Sequence, residues 1–87
     1  AAQFAPNLPD SHLRLALALR RSGKADQAVK EFETTVSLDP AMADAWVGGT
    51  QTLLALGRKE QAREWITRGK RLHPNRPEWT ALEPQAR

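Results

Sequence analysis

The sequence predicts an all-α fold of stacked antiparallel helical hairpins, and three observations carry that prediction. Residues recur at intervals of 34: Pro6, Pro40 and Pro74; Gly23 and Gly57; Ala28 and Ala62; Leu19 and Leu53; Phe4, Leu38 and Leu72. Between these markers apolar side chains return every three or four positions, the pitch of an amphipathic helix. The two glycines split each unit into two segments, so a unit reads as helix, tight turn, helix. A repeat of this period fixes the architecture before any local propensity is consulted.

Residues 1–8 are too short to form an element. Phe4 nevertheless holds the phase of Leu38 and Leu72, two residues before a periodic proline, so the segment is expected to be the end of a preceding helix or a linker, cut from a longer array. The first repeat spans 9–42. Pro9 opens it where a missing amide hydrogen costs nothing, and Asp10 places a negative charge at the positive end of the helix dipole. Asp44 and Glu78 recur in the same phase. His12, Leu15, Ala16 and Leu19 form one stripe while Leu13 and Leu17 form a second, so this helix expects neighbours on two sides. Ser22-Gly23-Lys24 suits a left-handed helix end and a short turn. Ala25, Ala28, Val29, Phe32 and Val36 then mark a second helix, which Leu38-Asp39-Pro40 stops because a residue before proline avoids helical angles.

The second repeat, 43–76, repeats the design. Trp46, Gly49, Thr50, Leu53 and Leu56 mark its first helix, Gly57 the break, and Ala62, Trp65, Ile66, Gly69 and Leu72 its second. Gly48-Gly49 inside a helix costs about 1 kcal/mol per residue relative to alanine, which the close approach of a neighbouring helix backbone would explain, with a groove opened for a ligand as the lesser alternative. Trp46 and Trp79 are expected to pack between repeats. Trp65 stands where the first repeat has Glu31, so it is expected either under the terminal segment or in an exposed aromatic patch. Residues 77–87 begin a third helix that Pro84 interrupts. The expectation is a short cap, with Trp79 and Leu82 folded onto the Trp65–Ile66 region and Gln85 to Arg87 frayed.

Composition narrows the function. With no cysteine there are no disulfides and no thiolate metal sites, and no apolar run is long enough to span a bilayer. The N-terminal stretch has neither the cationic start nor the apolar core of a signal peptide. A soluble chain is expected, with no targeting signal in this stretch and no compartment assigned. His12 and His73 share no carboxylate pattern, so both read as structural or solvated and no metal is expected. There is no activated nucleophile, and Gly48-Gly49 lacks the strand–turn–helix setting of a phosphate loop. The sequence therefore predicts no enzyme and no cofactor.

The net charge of +3 is unevenly placed. Residues 1–56 hold five basic and six acidic side chains, whereas 57–87 hold eight basic and four acidic. The run Arg58, Lys59, Arg63, Arg68, Lys70, Arg71 and Arg76 is the rival signal for nucleic acid or an anionic membrane surface. Glu60 and Glu64 interleave with it at spacings that favour intrahelical pairs, so a solvated face is expected, with neither nucleic acid nor membrane as partner.

These residues resemble the tetratricopeptide repeat. Its aromatic, leucine, glycine, aromatic, alanine, phenylalanine and proline slots are held by His12, Leu15, Ala16, Leu19, Ala28, Phe32 and Pro40, and then by Trp46, Gly49, Thr50, Leu53, Ala62, Ile66 and Pro74. His12 departs from the aromatic slot, and Gly49 and Thr50 are expected to loosen the second repeat. The resemblance implies a right-handed solenoid of two full repeats plus a short capping helix. It also implies a noncatalytic protein-interaction or assembly module whose first helices line a concave groove for a protein or peptide segment.

Carried over by phase, the groove positions are Asp10, Leu13, Leu17, Arg20 and Arg21, then Asp44, Val47, Gln51 and Leu54. Leu13, Leu17, Val47 and Leu54 would form an apolar floor edged by Arg20 and Arg21, which suits an amphipathic segment with acidic flanks. The family's charged clamp for chaperone tails would fall on Leu13, Leu17, Gly48, Glu78 and Leu82, none of which is a cation, so no chaperone tail is expected. The same leucines suit a second role, packing against another helix of a longer array or against a second copy. Fewer than three repeats lie under the usual minimum for such arrays, which points the same way and keeps a structural spacer or homo-oligomer in view.

Overall fold

The computed structural model describes residues 8–87, so the expectation placed on Phe4 and Pro6 lies outside the described residues. The chain forms an all-helical repeat solenoid: α1 (Pro9–Arg21), α2 (Ala25–Leu38), α3 (Ala43–Ala55), α4 (Lys59–Leu72) and α5 (Glu78–Gln85). No strand occurs among the described residues. Helix α1 lies against α2 and α3 against α4, α3 also touches α2 and α1, and α5 rests on α4 and α3.

The turns inside the two hairpins share one geometry. Gly23 (φ 80°) and Gly57 (φ 78°) take the left-handed conformation that only glycine adopts freely. Lys24 N–H donates to Leu19 O at 2.8 Å and Gly23 N–H to Arg20 O at 3.2 Å; Arg58 to Leu53 (2.9 Å) and Gly57 to Leu54 (3.0 Å) repeat the pattern. These paired bonds satisfy carbonyls that the helix end would otherwise leave open. At the far end of α2, Asp39 is extended and its carboxylate accepts the Ala41 N–H at 3.0 Å, a local turn that closes the helix before Pro40.

Helix α3 is the hub, buried on nearly every side: Ala45, Trp46, Val47, Gly48, Gly49, Thr50, Thr52 and Leu53 are all inside. Its glycines are explained by aromatic rings rather than by a neighbouring backbone. A Cβ on Gly48 would lie 2.8 Å from the Phe32 ring of α2; one on Gly49 would lie 2.8 Å from Trp65 Cε3 of α4 and nearer still to Cζ3. Trp65 is therefore neither under the terminal segment nor an exposed patch. It is 6% exposed, seated on Gly49 and edge-on to Trp46, with ring centroids 5.0 Å apart at 63°. The looseness expected from Gly49 and Thr50 is likewise absent. The indole fills the glycine's space, and the fully buried Thr50 returns its hydroxyl to Trp46 O at 2.7 Å. Thr52 does the same to Gly48 O and Thr35 to Glu31 O, at 2.8 Å each. Among the described residues no buried side-chain nitrogen or oxygen lacks a partner.

The third helix departs from the 34-residue phase. Trp46 Nε1–H donates to Pro40 O, six residues back, and Trp79 Nε1–H donates to His73 O, also six back, both at 2.9 Å. Trp79 thus does what Trp46 does 33 residues earlier, and its ring sits on Gly69, where an added Cβ would meet Trp79 Cζ2 at 2.6 Å. Pro84 does not end the helix. It falls in the last turn, where its missing donor strands only the carbonyl of exposed Thr80, and α5 continues to Gln85 with Ala86 fully buried behind it.

These ring-on-glycine contacts set the sign of two substitutions. Alanine gains about 1 kcal/mol of helix propensity at either position, whereas overpacking a filled site costs about 1–3 kcal/mol. Gly49→Ala, with the closer approach, should lower unfolding stability in urea by about 1–2 kcal/mol net. Gly48→Ala should change it less. A Gly49→Ala protein as stable as the parent would show that Trp65 does not seat on that backbone.

Candidate partner-binding face

Helices α1, α3 and α5 contact one another in turn on one side of the array, and the residues singled out in the sequence lie on α1 and α3. Arg20 near the end of α1 donates through Nη1 to Gln51 Oε1 of α3 at 3.0 Å, which draws the two helices to one surface. Arg20, Gln51, Leu54, Ala55, Leu82 and Gln85 together line an open depression of about 360 Å³. Leu17 and Arg21 are exposed on α1, whereas Leu13 (9% exposed) and Val47 (6%) are buried and serve packing instead of an accessible floor.

The opposite ends of these helices carry the acids, and there each acid has an arginine partner. Asp10 pairs with Arg14 at 3.1 Å. Arg76, in the α4–α5 connection, donates Nη2 to Asp44 at 2.7 Å and grips both Glu78 oxygens through Nε and Nη2, at 3.2 and 3.1 Å. The hydrogen bond to Asp44 is the main cause that raises the Arg76 guanidinium above its ordinary pKa. A raised basic pKa stabilises the fold at all pH values below it, so on the arginine side this bridge persists through neutral and acid conditions and is lost only in strong alkali. Arg20 and Arg21, in contrast, have no carboxylate partner among the described residues.

The basic run is organised differently from the expected intrahelical ladder. Arg58 pairs with Asp26 of α2 at 2.6 Å, Lys70 with Glu83 of α5 at 3.1 Å, and Arg68 stacks over the Trp46 ring at 5.1 Å. These cations tie neighbouring helices together. The two histidines do the same. His12 Nδ1 meets Glu31 Oε1 at 2.7 Å, and His73 Nε2–H donates to Pro40 O at 2.9 Å, since a carbonyl can only accept. Among the described residues no three histidine, cysteine or carboxylate side chains gather as a metal site, and no helix is long and apolar enough to cross a membrane.

Gln85 and Arg76 were outside the groove positions carried over from the sequence, and Leu82 entered only as a clamp position, although the structure brings all three to this face. The available signal was the spacing from Trp46 to Trp79, which makes α5 a third helix of the α1 and α3 kind.

Comparison with known proteins agrees with this architecture. The tetratricopeptide repeat model matches residues 19–86. A curated relative, an uncharacterized protein of Methanocaldococcus jannaschii, is 38% identical over 47 residues, covering 54% of this chain and 55% of that protein. The chain thus spans about half the length of that relative.

The Arg76 bridge makes α5 the element to watch. Exposed ion pairs contribute roughly 0–1 kcal/mol, so Arg76→Ala should barely change global unfolding. It should nevertheless accelerate amide hydrogen exchange in residues 78–85 relative to α1 and α2. Unchanged exchange in α5 would count against the bridge as what holds that helix start.

Proposed function

The chain belongs to the tetratricopeptide repeat family, whose repeats generally mediate protein–protein interaction, and from that premise we propose that it is a noncatalytic module gripping a partner polypeptide on its α1/α3/α5 face. The observation that carries the proposal is an asymmetry of charge. At the helix starts Asp10, Asp44 and Glu78 are each paired with Arg14 or Arg76, while at the helix ends Arg20 and Arg21 have no carboxylate partner among the described residues. Apolar surface from Leu17 and Leu54 lies on the same helices, with Leu82 in the depression beside Leu54. Such a face suits an amphipathic segment whose acidic flank meets Arg20 and Arg21. Apolar burial supplies affinity and the charges supply register.

A library of random peptides displayed on phage tests this reading without knowledge of the natural partner. Selected peptides should pair apolar residues with an acidic flank. They should lose binding, by about tenfold or more, to a Leu17→Glu, Leu54→Glu protein and to an Arg20→Glu, Arg21→Glu protein that keep the parent helicity. Peptides that bind both variants as well as the parent would overturn it.

A second reading draws on the exposed leucines of α1 and its approach, Leu8 (53%), Leu15 (41%) and Leu17 (42%). They suit a surface completed by another helix, within a longer array or from a second copy. If copies associate, the melting temperature should rise with protein concentration over about a hundredfold range. A constant melting temperature would remove the second-copy form of this reading.

A further inference from the structure

The backbones of the two outer helices, α2 and α4, do not pack on one another, although each packs on α3 and Arg58 at the start of α4 reaches Asp26 of α2. The hollow left between them has a volume of about 340 Å³ and lies away from the α1/α3/α5 face. Val36 of α2 (8% exposed) and Trp65 of α4 (6%) belong to the core and show only a narrow apolar edge at its base. Glu33 of α2 and Glu64 of α4 line it as well; both are exposed, and neither has an ion-pair partner among the described residues. The one cation in the lining, Arg68, lies over the Trp46 ring. The hollow is thus net negative on a chain whose net charge is +3, so general electrostatics would not draw a cation to the protein, while local charge would hold one here.

We infer that this α2/α4 hollow is a second docking surface, which takes an arginine or lysine side chain of a partner polypeptide. The aliphatic stem lies on Val36 and the edge of Trp65, and the cationic head sits between Glu33 and Glu64. The chemistry follows from what such side chains need, an apolar bed for the methylenes and carboxylates for the head. It is independent of the groove reading, since no residue of the hollow belongs to the α1/α3/α5 face.

The test is an NMR titration of the 87-residue chain with N-acetyl-arginine amide and, separately, N-acetyl-lysine amide, with N-acetyl-norvaline amide as the uncharged control. The expected result is a saturable shift confined to Val36, Ser37, Gln61 and the Trp65 indole N–H with at least one cationic probe and not with the control. Which probe binds more tightly identifies the head group. In a Glu33→Gln, Glu64→Gln protein, whose changes are at exposed positions and whose circular dichroism should match the parent, affinity should fall about fivefold or more. The proposal is overturned if neither cation gives localised shifts, if the control gives the same shifts, or if the double variant binds as the parent does.

Discussion

The structure depends on how closely aromatic rings can approach the backbone of α3 and α4. Phe32 seats on Gly48, Trp65 on Gly49 and Trp79 on Gly69. Each contact joins a different pair of helices: α2 to α3, α4 to α3, and α5 to α4. A ring against a bare helix backbone buries more area than an aliphatic side chain at the same place, and it requires glycine there because no other residue leaves the space. Helix propensity is therefore given up at the middle of α3, at about 1 kcal/mol per glycine, in exchange for two aromatic contacts on adjacent faces of one helix. With α3 fixed by α2 and α4, α1 and α5 pack against it.

The two hairpins solve the same contact in different chemistry. Positions 12 and 31 in the first correspond to 46 and 65 in the second, 34 residues on. In the first hairpin they are His12 and Glu31, joined by a polar contact of 2.7 Å; in the second they are Trp46 and Trp65, joined ring to edge. The neighbouring position follows suit. Where the second hairpin needs Gly49 to admit an indole, the first carries Leu15, since a glutamate reaching His12 asks for no such space. What looked like separate departures, a histidine in an aromatic slot and a tryptophan on a polar face, is one substitution made on both partners.

This explains which parts of the fold were legible in the sequence. Gly23, Gly57, Pro40 and Pro74 act through their own backbones, so their meaning is local and could be read directly. Trp65 could not be read that way. Its burial depends on a glycine 16 positions earlier, and hydropathy at either site says nothing about the other. The Trp46–Pro40 and Trp79–His73 hydrogen bonds reveal the 33-residue step into α5, which a strict 34-residue phase conceals. The basic run misled for a related reason. Spacing within a helix predicts pairs of Glu60 and Glu64 with Lys59, Arg63 and Arg68, but the structure pairs Arg58 with Asp26 and Lys70 with Glu83, and Arg68 stacks on Trp46. For the candidate face, phase alone found Arg20, Gln51 and Leu54, whereas Leu13 and Val47 lie on the right helices but point into the core.

The same packing limits where a partner can be held. Because Ala45 to Thr50 of α3 are all buried, its accessible contribution to the α1/α3/α5 face is concentrated near its end, at Gln51, Leu54 and Ala55. That is also where Arg20 and Arg21 stand on α1, with no ion-pair partner among the described residues. The beginning of the face is closed by Arg76, which links the α4–α5 connection to α3 and α5 through charges that are already satisfied. Displacing those contacts would cost a ligand the pairing it removes, while the basic end offers charge without that penalty. The proposed docking of an acidic segment would therefore fall at the helix ends, a placement that follows from α3 being sealed around its two glycines.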